Sequence, residues 1–190
     1  NPAAGRKGIT AFLVERGAEG LDLQPIPMSA PHPIGRIVLR GCRVPDSARV
    51  GDVGRGFAIA MQTLDAFRIS VVAAALGIVL RALSLSIGHV QRRAQFGKPL
   101  AEQQIVQAML ADMATELDAS RLLVLRAAHK KDTEAARAGS EVAMAKMFAT
   151  EAAQRIIDRA VQLHGGLGVT LETEVEHLYQ RDRGEARSPD

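Results

Sequence analysis

The chain has 190 residues, 47% of them hydrophobic and 24% charged, a balance typical of a globular protein with one or two domains. Its net charge is only +3 and no block of like charge occurs, which argues against a nucleic-acid-binding protein. Cys42 is the only cysteine, so an internal disulfide and a cysteine-based metal cluster are both excluded. We expect a small, buried residue there and a reducing, cytoplasmic location.

The first fifty residues have the composition of β structure. Residues 8–15 and 34–39 are short runs of β-forming residues, and we expect no structural element before the first of them. Four prolines fall within nine residues from Pro25 to Pro33, which predicts an extended or looped segment there. Because two or three strands cannot close a sheet, we interpret residues 1–52 as part of a β domain.

From Gly54 onward, apolar residues recur with helical spacing. This spacing predicts a first helix ending near Arg92, a second over 100–131, an alanine-lined third over 134–164, and a shorter fourth from 172 to about 181. Short breaks between amphipathic helices predict a four-helix bundle over residues 53–190 and a mainly α fold. The longest apolar run, residues 69–80, is about half the roughly 20 residues that a membrane helix needs, which indicates a buried helix and not membrane insertion.

Two segments at helix ends have unusual chemistry. Residues 91–104, QRRAQFGKPLAEQQ, combine two arginines that suit phosphate, an aromatic face and amide side chains. They fit a site for a planar, phosphate-bearing ligand, although on spacing alone a helix end followed by a turn is the simpler explanation. The third helix ends in HGGLG, residues 164–168, and three glycines in four residues indicate a close approach of backbone to a ligand or another chain.

Five motifs in order resemble the acyl-CoA dehydrogenase family. They are RVP at 43–45 with GDVGRGF at 51–57, DAFR at 65–68, RAQFGKPL at 93–100 with Gln104, QLHGGLG at 162–168, and VEHLY at 175–179. The resemblance implies the last part of the family's middle β domain, followed by its C-terminal four-helix bundle. It also implies an FAD-dependent oxidoreductase that removes an α proton and a β hydride from an acyl-CoA thioester.

The resemblance further implies where ligands bind. Arg93 would contact the FAD pyrophosphate, with Phe96 and Gln104 near the adenine, and residues 162–166 would reach the same FAD from a neighbouring subunit. The implied cofactor-binding residues are Arg93, Gln95, Phe96, Gln104, Gln162, Leu163, Gly165 and Gly166. Asp65 and Arg68 match acyl-CoA-binding positions, although an ordinary ion pair explains Arg68 equally well. The implied partners are acyl-CoA, a second copy in a dimer or tetramer, and an electron acceptor such as an electron-transfer flavoprotein.

The resemblance does not include the first and last parts of the family's sequence. The family's N-terminal helical domain has no counterpart, and the tail QRDRGEARSPD replaces the segment whose glutamate is the base in many members. Asp190 and Glu185 do not match the flanking pattern, so no catalytic residue is assigned. We therefore expect a partial acyl-CoA dehydrogenase that is inactive alone. The alternatives are a non-catalytic flavin-binding or oligomerisation subunit, whose partner chain supplies the missing domain and base, or a non-functional remnant.

Metal chemistry is not predicted. The histidines are scattered along the chain without the spacing of metal ligands. They are His32, His89, His129, His164 and His177. His164, beside the glycines, is interpreted as a histidine at a helix end, with contact to the cofactor as the alternative.

Overall fold

The computed structural model describes residues 2–28, 34–134 and 138–186 of the protein. His32 and Asp190 lie outside the described residues, and only the backbone of Glu185 is described. The chain divides into two compact units, Asn1–Phe67 and Arg68–Asp190. The division that the sequence predicts, between residues 52 and 53, stays a prediction about domains.

The first unit contains four short strands in two antiparallel pairs. Strand β1 (Ala11–Phe12) pairs with β4 (Arg49–Val50), and β2 (Leu21–Pro25) pairs with β3 (Gly35–Leu39). The run 8–15 forms only a two-residue strand, and 3-10 turns over Pro2–Gly8 precede it, where we expected no element. Strand β2 continues to Pro25, because a proline at the end of a strand removes no hydrogen bond that the strand needs.

The start of helix α1 (Gly56–Arg92) is held against β1. The Gly56 amide donates a 2.9 Å hydrogen bond to the Ile9 carbonyl, and the Gly54 amide donates one of 3.0 Å to Thr10 Oγ1. A Cβ on Gly56 would lie 2.8 Å from the Ala11 nitrogen, so only glycine allows this approach. The glycines at 54 and 56 thus set where the helix begins.

The second unit is helical, which confirms the predicted fold class. After α1 come the hairpin strands β5 (Ala94–Gln95) and β6 (Lys98–Pro99), then helices α2 (Gln104–Thr133), α3 (Gly139–His164) and α4 (Glu174–Ala186). Helix α2 begins four residues later than predicted because Leu100–Glu102 forms a separate 3-10 turn, and the extended backbone of Gln103 separates that turn from α2. Helix α3 begins at Gly139 and not at residue 134.

The core of this unit is built around α3. The predicted small-residue face of α3 is confirmed, since all of its members are buried: Val142, Ala145, Ala149, Ala152, Ile156 and Leu163. Alanine side chains let neighbouring helices approach closely, and α2 and α4 both pack on α3. Residues from all four helices share one cluster, among them Val79, Met113, Ile156 and Val175.

Within the described residues, α1 is long and apolar enough by length and composition to cross a membrane, but a core helix of a soluble protein passes the same test. About a third of its most apolar stretch is buried inside the protein.

Cys42 is half-buried, and not buried as expected, because it follows β3 in a loop that the core clusters do not include.

Candidate functional site

A cavity of about 810 Å³ lies within the second unit, where the end of α1, the start of α2 and the end of α3 meet. Its size is in the usual range for small-molecule and cofactor sites. Three groups of residues line it: His89, Arg93, Gln95 and Leu100 around the hairpin; Ile105, Val106 and Met109 on α2; and residues 162–167 at the end of α3.

The β5–β6 hairpin places Arg93 and Gln95 at this cavity. The Leu100 amide donates a 2.8 Å hydrogen bond to the Arg93 carbonyl and so closes the hairpin onto the end of α1. Its two central residues both have positive φ, 55° at Phe96 and 81° at Gly97. Tight hairpins of this kind require that conformation, which is strained for Phe96. The Phe96 ring is 92% exposed and does not line the cavity.

The two arginines at the end of α1 have different surroundings. The Arg92 guanidinium folds back over Gly88, 3.3 Å from the position that a Cβ would take there. Arg93 lines the cavity, and its amide donates to the His89 carbonyl at 2.9 Å. Arg93 is therefore the arginine that can meet an anion in the cavity, as the resemblance implies.

The three glycines after α3 differ in their backbone conformation and in their surroundings. Gly165 ends the helix with φ 59° and ψ −137°, a conformation that other residues avoid. Gly168 is buried, and a Cβ there would lie 2.5 Å from the Val161 carbonyl oxygen. Gly166 lines the cavity, and a Cβ there would meet no atom within 4 Å. Gly165 also borders the cavity with open space around it, so the backbone of Gly165 and Gly166 is accessible where a ligand fits.

Two stacked histidines form part of the cavity wall. The His89 and His164 ring centroids lie 4.3 Å apart with 28° between the ring planes. His164 Nδ1 lies 2.8 Å from the Ala160 carbonyl oxygen, and since a carbonyl only accepts, Nδ1 carries the proton. Burial lowers the pKa of His89 below its usual value, and the charges of His164, Arg93 and Arg92 lower it further.

The sequence alone did not identify His89 as a site residue. The one available signal was its position four residues before Arg93, which places both on the same side of α1. His164 was interpreted as a histidine at a helix end, and it does lie there, but its ring also faces the cavity.

Six of the predicted cofactor residues line this cavity: Arg93, Gln95, Gln162, Leu163, Gly165 and Gly166. That residues 162–166 reach the FAD of a neighbouring subunit stays a prediction. Phe96, Gln104, Asp65 and Arg68 are not among the described residues that line the cavity; Asp65 and Arg68 lie half-buried on α1. The ligand-binding roles of all these residues stay predictions.

The cavity is lined by charged and neutral hydrogen-bond donors together with apolar side chains. A guanidinium, two imidazoles and two side-chain amides face it, with Leu163, Ile105 and Met109 as apolar partners. None of its described lining residues is acidic. No group of three His, Cys, Asp or Glu side chains in the described ranges is placed to hold a metal ion. The donors suit an anionic ligand that also carries a flat, apolar part.

Comparisons with known proteins agree with this fold. The family model described as acyl-CoA dehydrogenase, C-terminal domain, matches residues 54–186. Caffeyl-CoA reductase-Etf complex subunit CarC of Acetobacterium woodii is 38% identical over 183 residues, 93% of this chain and 47% of that protein. The human mitochondrial short-chain specific acyl-CoA dehydrogenase is 40% identical over 184 residues, 93% of this chain and 43% of that protein.

Solved structures share the fold as well. Butyryl-CoA dehydrogenase from Megasphaera elsdenii superposes with a TM-score of 0.91 at 36% identity, over 96% of this chain and 48% of that one. Glutaryl-coenzyme A dehydrogenase in complex with glutaryl-CoA gives a TM-score of 0.93 at 33% identity, over 99% of this chain and 48% of that one.

The fold is that of the C-terminal helical domain of the acyl-CoA dehydrogenases. The chain belongs to the acyl-CoA dehydrogenase family, and the resemblance seen in its motifs is confirmed. The chain spans about half the length of the relatives it matches.

Proposed function

We propose that the protein is an FAD-dependent acyl-CoA dehydrogenase, and that this chain supplies part of the flavin site. The observation that carries the proposal is the convergence of Arg93, Gln95 and the glycine turn on one cavity. These residues fit a flavin dinucleotide, because a guanidinium suits its phosphates and the bare backbone of Gly166 borders open space. When bound, FAD would accept the hydride removed from the β carbon of the acyl group.

Each residue at the cavity would have a stated role in holding the cofactor. Arg93 would neutralise phosphate charge, and the side-chain amides of Gln95 and Gln162 would hydrogen-bond polar edges of the dinucleotide. Leu163 and Met109 would exclude water from its flat part. Phe96 and Gln104, outside the cavity lining, remain proposed contacts to the adenine side, and Asp65 and Arg68 remain proposed contacts to acyl-CoA.

The base for removing the α proton is not found at this cavity. The described lining residues include no carboxylate, and neither imidazole has an acidic partner there. Without a positioned base, the proton step loses its main catalyst. We propose that the 190-residue chain alone does not turn over acyl-CoA, and that another segment or chain provides the base.

A second candidate function is a flavin-binding or oligomerisation subunit without its own catalysis. The lack of acid among the lining residues favours it, and so does apolar surface on α2 and α3, where Leu122, Leu125 and Met147 are exposed. CarC, the Acetobacterium relative, is itself a subunit of a reductase-Etf complex. We propose as partners acyl-CoA, a second copy of the chain in a dimer or tetramer, and an electron-transfer flavoprotein, in the cytoplasm.

Flavin binding to matched arginine variants tests the proposal. We expect the purified chain to show visible flavin absorbance after reconstitution with FAD and to have the mass of an oligomer. R93M should weaken FAD binding at least about tenfold, since it removes the cation at the cavity. R92M is the control, because the Arg92 guanidinium packs on Gly88 and does not line the cavity. Equal losses in both variants would remove the support for the site.

An assay with an artificial electron acceptor separates the two candidate functions. Turnover of an acyl-CoA by the chain alone would contradict the proposal that its base lies elsewhere. FAD binding without turnover agrees with both candidates, and turnover restored by a second chain would then favour the subunit. A chain that binds no FAD as an oligomer would contradict both.

A further inference from the structure

We propose that His89 and His164 form a proton-responsive part of the phosphate-binding end of this cavity, so that an anionic dinucleotide binds with uptake of one proton. The inference rests on the proposed function, because it concerns the same cavity. It adds two residues and a dependence on pH that the motifs did not indicate.

The geometry places the histidines next to the phosphate-binding arginine. Arg93 follows His89 by one helical turn, and the Arg93 amide donates to the His89 carbonyl at 2.9 Å. His89 stacks on His164 at 4.3 Å, and His164 directly precedes the glycine turn. The stack therefore connects the two segments of the cofactor site, and an anion held by Arg93 lies beside the imidazoles.

The charged groups that face His89 are all positive or can become so. On its own helix these are Arg92 and Arg93, and from α3 it is His164. Helix α2 contributes Ile105, Val106 and Met109 to the cavity, and the glycine turn contributes no charged side chain. Helix α4 contributes no described residue to the lining. A carboxylate that would balance an imidazolium is therefore lacking among the described lining residues.

This environment favours the neutral form of His89 in the absence of an anion. Burial lowers the pKa of His89, and the neighbouring positive charges of His164, Arg93 and Arg92 add to that effect. Two stacked imidazoles also resist carrying charge together, since like charges at this distance repel. A diphosphate in the cavity supplies the missing negative charge and favours the protonated ring.

Because proton binding and FAD binding are coupled, the affinity for FAD should depend on pH. If the bound state holds a proton that the free state lacks, affinity rises as pH falls, by at most about tenfold per pH unit for one proton. The rise occurs between the pKa of His89 in the bound state and its lower pKa in the free state. At pH values above the bound-state pKa or below the free-state pKa, titration of His89 does not change the affinity for FAD.

Calorimetry of FAD binding in two buffers with different ionisation enthalpies measures the proton uptake directly. We expect the 190-residue chain to take up at most one proton on binding FAD, with the uptake largest at pH values between the two pKa values of His89. H89Q keeps a polar side chain but cannot be protonated, so its uptake should fall to near zero. H129Q is the matched control, because His129 is exposed on α2 and does not line the cavity.

The possible results separate the inference from the function on which it rests. FAD binding without proton uptake, or with equal uptake in H89Q and wild type, would overturn the inference and leave the flavin site intact. Absence of FAD binding would overturn both. NMR titration of the histidine rings gives a readout without flavin. His89 should titrate at higher pH in H164Q than in wild type, and inorganic pyrophosphate should raise its pKa in wild type; no change in either contradicts the inference.

Discussion

Glu116 on α2 and Arg159 on α3 are joined by a hydrogen bond of 2.8 Å from Nη1 to Oε1. The same carboxylate accepts a second bond of 3.0 Å from Arg155 Nε at its other oxygen. The Glu116 side chain is 20% exposed and that of Arg159 is 27% exposed, so water screens this pair less than a free surface pair. The contact links the two helices beside the core and clear of the cavity lining.

Replacing Glu116 by glutamine should lower the free energy of unfolding by about 1 kcal/mol, because the half-buried Arg159 would lose its charged partner. Urea unfolding measures the change. Asp112→Asn is the control: its carboxylate lies 3.6 Å from Arg159 and its side chain is 65% exposed, so about 0.5 kcal/mol or less is expected. Equal losses would mean that the half-buried position of Glu116 has no special effect.

Close packing of α3 should make its alanines intolerant of larger residues. Ala152 is fully buried, and Ala152→Leu should reduce stability by about 1–3 kcal/mol, because the neighbouring helices must move apart. Ala143→Leu on the exposed side of the same helix should change stability by less than about 0.5 kcal/mol. Thermal unfolding compares the two variants, and equal stability would contradict the close packing of α3.

The sequence predicted the helices well and the strands poorly, for a physical reason. A helix is closed by bonds within one segment, so the apolar spacing of residues 56–92 is sufficient to recognise it. A strand depends on a partner elsewhere, so the pairing of Leu21 with Leu39 could not be read from either segment. The proline after Leu21–Gln24 also suggested a loop where a strand ends.

The motifs predicted part of the candidate site, and the fold adds residues that the motifs did not indicate. Arg93 and the glycine turn were found because their segments resemble a known pattern. His89 was missed because its proposed role depends on His164, a residue on another helix that only tertiary packing brings within stacking distance. The positive φ of Phe96 was also missed, since turns usually place glycine or asparagine at such a position.

The ion pair between Lys130 and Glu141 should give the protein a stability change in acid. Lys130 Nζ lies 2.7 Å from Glu141 Oε1, and this bond, with one from Ser140, lowers the pKa of Glu141 from 4.5 to about 2. A lowered carboxyl pKa stabilises the folded state fully above 4.5, and this stabilisation is lost as pH falls toward 2. The pKa of Lys130 is raised, so the stabilisation that depends on its positive charge is lost only at strongly alkaline pH.

Melting temperatures of wild type and Glu141→Gln between pH 7 and pH 2 test this expectation. The difference between the two proteins should be largest above pH 4.5 and should shrink as pH approaches 2. Glu151→Gln is a control on the same helix, for which the described part of the chain shows no ion pair. A difference that stays constant down to pH 2 would show that the pair does not affect acid stability.

Alanine substitutions at Gly168 and Gly166 should affect different properties. The first should lower stability, and the second should weaken ligand binding. Gly168→Ala places a Cβ 2.5 Å from the Val161 carbonyl oxygen, a backbone atom that cannot rotate away, so a stability loss of about 1–3 kcal/mol is expected. Gly166→Ala meets open space at the cavity, so stability should stay within about 0.5 kcal/mol of wild type. The added methyl group should instead weaken FAD binding by about tenfold. Thermal unfolding and FAD titration of both variants test this, and a Gly166→Ala chain with unchanged FAD affinity would mean that the dinucleotide does not approach this backbone.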